Sequence, residues 1–217
     1  MNELRHAENH VKLATGGRWA YLSGQLPRTT RIDQTWKPGY IGFCHSVGVV
    51  GAAIRLDQRL SGDPDWQVNH AFILDEPISG TLYPNLIEDW WVIQAEAHGV
   101  TGSRPDGTGF HRAKLSSIAP GGYYEIVTPP SEINLTNVVG FARQEVGAEY
   151  GFFSIASLVV DELTPGFIRI DFRKDGSWIC SALAAEALRT GGWLHHWPDV
   201  YQVRPSQLRA ALKLTQS

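Results

Sequence analysis

The chain has 217 residues, 43% of them hydrophobic and 19% charged, with a net charge of −3 at neutral pH. That length and apolar content can bury one good core, so a single domain over 1–217 is expected, with 1–16 a loose lead-in and 17–214 the folded body. The weak negative balance gives no electrostatic footprint for nucleic acid or for an anionic membrane surface.

The two cysteines, Cys44 and Cys180, are a poor disulfide framework for so long a chain, which points to a reduced setting. Residues 1–10 are polar and lack the apolar core of a signal peptide, so a cytoplasmic site of synthesis is expected. Apolar runs such as Val47 to Ile54 are far too short to span a bilayer.

In chain order, 18–23 reads as a strand, 25–39 as a loop with two prolines, and 40–43 as a short apolar strand. From Val47 to Leu60 apolar residues fall at helical spacing until Gly62-Asp63-Pro64 stops them. Residues 66–74, 90–96 and 123–127 carry the β-branched and aromatic content of strands. A Gly/Ser/Pro-rich loop, 101–109, separates the last two. After Pro129-Pro130 the pattern turns helical: Ser131 is the expected N-cap, with helices over 138–146 and 153–163. Another helix begins near Cys180 and runs to Gly191-Gly192, and a last one covers 205–214, with proline in its first turn. The order predicts an α+β domain with a mostly antiparallel sheet.

Cys180 is the expected nucleophile, against the alternative of a small apolar residue packed under a helix. A polar turn, Lys174-Asp175-Gly176-Ser177, leads into an alanine-rich helix, so the cysteine falls in the first turn. Unpaired amides and the positive end of the helix dipole favour a thiolate there. His70 lies in a strand, and period-two alternation groups it with Val68 and Phe72. One strand later Gln94 and Glu96 share a face, and either could hold the imidazole; Glu96 could also stabilise its protonated form. Glu96 is preferred, with Gln94 close behind. A nucleophile at a helix start, a base on a strand and a polar orienter are what thiol catalysis needs.

Other residues fit less well. Cys44-His45 are adjacent on an extended segment and point apart. His195-His196 between Trp193 and Trp197 lack a cysteine or carboxylate at zinc-ligand spacing, so an aromatic surface loop is expected and no metal. Asp161, Glu162 and Asp171 read as solvated charges. No glycine pair sits in a phosphate-binding frame. Trp90-Trp91 read as packing residues that could also line a groove.

Several short pieces carry a resemblance. Gly39-Tyr40-Ile41-Gly42-Phe43 resembles an opening "GD-hydrophobic" strand, with Tyr40 in place of the usual acid. Asn69-His70-Ala71-Phe72-Ile73 resembles an "sHvgi" histidine strand, and Val92 to Val100 a "viEA…GV" strand, in which the acid aligns with either Gln94 or Glu96. Tyr150 to Ser157 resembles a "YgfltIas" helix entry, Trp178-Ile179-Cys180-Ser181 an "-iCSelva" nucleophile helix, and Val203 to Leu208 a "tPgdL" tail. Together and in this order they resemble circularly permuted members of the NlpC/P60 papain-like superfamily, where the strand histidine precedes the helix cysteine.

The resemblance implies a permuted papain-like fold and a cysteine hydrolase cleaving amide bonds, such as those of peptidoglycan peptides, with no cofactor. It also admits an acyltransferase or lipid-directed thioesterase, or a non-catalytic binding or virion-structural protein keeping the same fold. Relatives of this pattern are frequent in bacteriophages and actinobacteria, and a phage-encoded member would be virion-associated. Peptide, peptidoglycan or acyl substrates are the implied partners, with specificity expected in the loops 25–39, 76–89 and 101–121.

Overall fold

The computed structural model describes residues 32–46, 49–63, 65–80, 86–96, 109–119, 124–148 and 179–215, leaving aside the side chains of Val49, Val50 and Glu96. The strand expected over 18–23, the helix over 153–163 and the loop 101–108 lie outside the described residues.

The elements are β1 (Ile41–Cys44), α1 (Val49–Leu60), β2 (His70–Ser79), β3 (Ile87–Glu96), β4 (Gly109–Lys114), the single turn α2 (Leu115–Ile118), β5 (Tyr124–Val127), α3 (Leu135–Gln144), α4 (Cys180–Thr190), a 3-10 turn at Val200–Gln202, and α5 (Pro205–Leu214). Among the described residues the strands form one five-stranded sheet in the order β4-β3-β2-β1-β5, and every neighbouring pair is antiparallel. The protein is therefore an α+β domain built on an antiparallel sheet.

Alternation sorts each strand between two cores. Ile41, Phe43, Ala71, Ile73, Ile93 and Phe110 face the helices, with Val138 and Ala142 of α3, Leu183 and Leu188 of α4, and Leu208 and Leu212 of α5. Gly42, Cys44, Phe72, Leu74, Trp90 and Val92 point the other way, where Ala113, Leu115 and Tyr124 complete a smaller cluster. Each fully buried large aliphatic or phenyl side chain contributes about 1.5–3 kcal/mol. No helix among the described residues is long and apolar enough to cross a membrane.

Three boundaries differ from expectation. Residues 66 and 67 belong to a turn, and β2 starts only at His70. Gln58 on α1 explains this: its side-chain amide donates to the carbonyls of Trp66 and Val68, both at 2.8 Å, taking acceptors that a strand would need. Val68 accordingly joins the helix-side core rather than the face of Phe72. The cap of α3 is Asn134, not Ser131; its side chain accepts from the Asn137 amide at 3.2 Å, so the helix begins three residues before Val138. β2 and β3 also reach far into the loop expected over 76–89, despite Pro77.

Two ion-pair groups join distant segments. Asp57 of α1 binds Arg204 at the start of α5, with Nε to Oδ2 at 2.5 Å. Asp75 of β2, nearly fully buried, accepts from Arg112 of β4 and from Arg143 of α3, the latter at 2.6 Å.

Candidate active site

α4 begins at Cys180. Its N-cap, Ile179, is extended and offers no side-chain oxygen, so the first-turn amides receive no side-chain cap. The helix is buried on every side from Cys180 to Leu188, which its run of small residues permits. It packs against β2, α3, the 3-10 turn and α5. Ser181 fixes its start by donating its hydroxyl to the carbonyl of Val203 at 2.5 Å.

His70 opens β2, opposite Cys44 of β1. Asn69, just before it, is held by three hydrogen bonds. Its Oδ1 accepts from the Ser46 amide at 2.8 Å, and its Nδ2 donates to the carbonyls of Ser46 and Gly51 at 2.9 Å. Gly51 is required for this, because a Cβ there would meet Asn69 Nδ2 at 2.5 Å. Asn69 thus has a packing role, and it fixes the start of the strand that His70 opens.

There His70 meets both expected partners. Its Nε2 lies 2.8 Å from Gln94 Oε1 on β3, and its ring hydrogen-bonds the thiol of Cys180. Nε2 is thus the nitrogen that faces Gln94. Between the two orienters expected from the sequence, Gln94 makes the contact. Glu96 ends β3 opposite Gly109, and its side chain lies outside the described set.

Burial pushes the Cys180 thiol up, but the hydrogen bond and charge of His70, with the amides of Ala71 and Ser181, outweigh it and hold the thiol below its ordinary value. Cys44 behaves oppositely: burial, then the nearby Cys180, raises its thiol, which disfavours the thiolate there. Both cysteines are free.

One neighbour is invisible in the sequence. His111 of β4 stands opposite Gln94, with its Nε2 3.1 Å from Gln94 Nε2 and its Nδ1 3.2 Å from the Gly109 carbonyl. Its strand is short and has no β-branched residue, so the pattern around the preceding loop gave no signal.

The remaining candidates fall away from this centre. His45 is a neutral acceptor: burial, then the charge of Arg55, lowers it to about 4, and Arg55 Nη1 donates to its Nε2 at 3.3 Å. His195 stacks on Trp193 with ring centres 4.9 Å apart and leans on Trp197 at 4.3 Å, an aromatic loop as expected. Trp90 is buried in the smaller core, and Trp91 lies under the guanidinium of Arg112 at 4.9 Å. Asp161, Glu162 and Asp171 lie outside the described residues. Among the described residues, no group of three or more His, Cys, Asp or Glu side chains is arranged to hold a metal ion.

Compared with known proteins, the sequence matches no family model and no curated protein.

Proposed function

We propose that the chain is a cysteine hydrolase that cleaves amide bonds, with Cys180 as nucleophile, His70 as base and then acid, and Gln94 as the group that orients the imidazole. The observation that carries this reading is one histidine hydrogen-bonded at once to a helix-start thiol and, at 2.8 Å, to a side-chain amide oxygen. The antiparallel sheet with a buried cysteine helix against it is compatible with a permuted papain-like NlpC/P60 fold, and peptide bonds such as those of peptidoglycan are the substrate class that resemblance favours.

In this mechanism His70 Nδ1 takes the Cys180 proton, and the thiolate sulfur bonds to the substrate carbonyl carbon. The charge that develops on the carbonyl oxygen is met by the Cys180 amide at the uncapped helix start. The C–N bond then breaks, and the amine leaves with the proton from His70. Water attacks the thioester while giving a proton to His70; the C–S bond breaks, the acid departs, and the proton returns to the Cys180–His70 pair. No cofactor enters the sequence.

A second reading, a binding protein that keeps the fold without turnover, has one observation on its side: Cys180 is only 2% exposed.

Iodoacetamide labelling decides between them. The rate at Cys180, read by mass spectrometry across pH, should be high well below the ordinary thiol pKa of about 8.5, and that advantage should vanish in His70→Ala. Slow labelling with an ordinary pH dependence, indifferent to His70, would leave the binding reading.

A further inference from the structure

The contacts between His111, Gln94 and His70 form a chain in which each donor dictates the next acceptor. The Gly109 carbonyl can only accept, so the His111 nitrogen 3.2 Å from it, Nδ1, carries the proton. In the neutral ring Nε2 is then bare, and it accepts from the Gln94 amide nitrogen at 3.1 Å. An amide has its nitrogen on one side and its oxygen on the other, so Oε1 must turn to His70, where it stands 2.8 Å from Nε2. That oxygen again only accepts, so the His70 proton sits on Nε2 and Nδ1 is left bare.

We propose that His111 is a positioning residue: anchored by the Gly109 carbonyl, it sets the direction of the Gln94 amide, and through it the tautomer in which His70 can take the Cys180 proton. This rests on the cysteine-hydrolase reading and extends it by one residue, on the strand beyond Gln94. The need for it is physical. A glutamine amide turned by half a rotation fills the same space, so Gln94 alone does not define which end faces His70. Turned, it presents N–H to Nε2, which must then be bare; the proton moves to Nδ1, and the base is lost. A carboxylate orienter accepts at both ends and needs no such help. Gln94 does.

The test reads the tautomer directly. Histidine is labelled with nitrogen-15 in Cys180→Ser protein, where no thiolate charges the ring. Long-range proton–nitrogen correlation is then recorded well above the ordinary imidazole pKa of about 6.5. His70 should show bare Nδ1 and protonated Nε2. His111→Ala should bring the two tautomers toward parity, His111→Lys, which only donates, should favour the reverse form, and His111→Glu, which only accepts, should restore the original. A role in packing alone would follow side-chain size and not acceptor capacity.

A second measurement needs no variant: in the unaltered chain His111 itself should be bare at Nε2. Finding His111 protonated at Nε2, or finding one unchanged His70 tautomer in the alanine and lysine variants, overturns the proposal. Because the readout needs no turnover, it is separate from the labelling test: a His70 that follows residue 111 beside an unreactive Cys180 would sink the hydrolase reading and leave the relay standing.

Discussion

The ring of Phe72 lies directly across Gly42, leaving no room for a side chain between them: a Cβ on Gly42 would stand 2.0 Å from Phe72 Cε2. The two residues are paired in register on adjacent strands, and the Phe72 ring is the aromatic neighbour of His70, with ring centres 6.5 Å apart. The glycine therefore sets how deep the phenyl sinks, and the phenyl forms part of the floor beside the imidazole.

Gly42→Ala should cost about 1–3 kcal/mol by overpacking, read as a lower urea midpoint with an unchanged slope. Phe72→Leu in the same chain should recover part of that loss, because the clash is with the ring. A strictly additive double variant would contradict the pairwise account.

Asn69 and His70 are adjacent but should fail differently. Asn69→Ala removes three hydrogen bonds, including the acceptor of the Ser46 amide, for a loss of about 2–4 kcal/mol of stability. The folded fraction should keep the pH dependence of Cys180 labelling. A labelling profile displaced as far as that of His70→Ala would give Asn69 a larger part in the site.

Gln94→Leu strips the acceptor from His70 Nε2. The Cys180 thiol should titrate higher, and labelling at mildly acidic pH should slow by about tenfold, which is one pKa unit. An unchanged rate in Gln94→Leu would remove Gln94 from the site.

His45 supplies a pH dependence independent of the cysteine. Its folded-state value, about 4, lies below the unfolded 6.5, so the unfolded chain takes up the proton first. Stability is whole above pH 6.5 and falls as the pH drops toward 4. The loss is at most about 3 kcal/mol, less because the ring is partly exposed. His45→Gln should flatten the acid limb of a urea-midpoint profile between those values, and an unaltered limb would assign the acid sensitivity to other groups.

How much of this was legible follows from the kind of signal each part leaves. Helix spacing and a proline in the first turn mark α5 over 205–214, and the structure agrees to the residue. The start of α4 at Cys180 agrees with the first-turn position expected from the sequence. Gln94 and Glu96 were not separable, because residues two apart share a strand face; what distinguishes Gln94 is its position opposite Phe72 and its contact with His70, both properties of register. β4 left no periodic trace, and with it His111 was lost. The start of β2 was misjudged for a similar reason: the Gln58 side chain, acting across the fold, satisfies carbonyls whose own residues look strand-like.

The Ser46 amide gives the Asn69 clasp a consequence in time. Its proton is held by Asn69 Oδ1, not by a strand partner, and the same side chain grips Gly51 in α1. The end of β1, the first turns of α1 and the approach to His70 are thereby latched into one unit, so that amide can exchange with solvent only when the unit opens. Its exchange rate is a clock for how often the histidine comes adrift, legible in a protein that has never met a substrate.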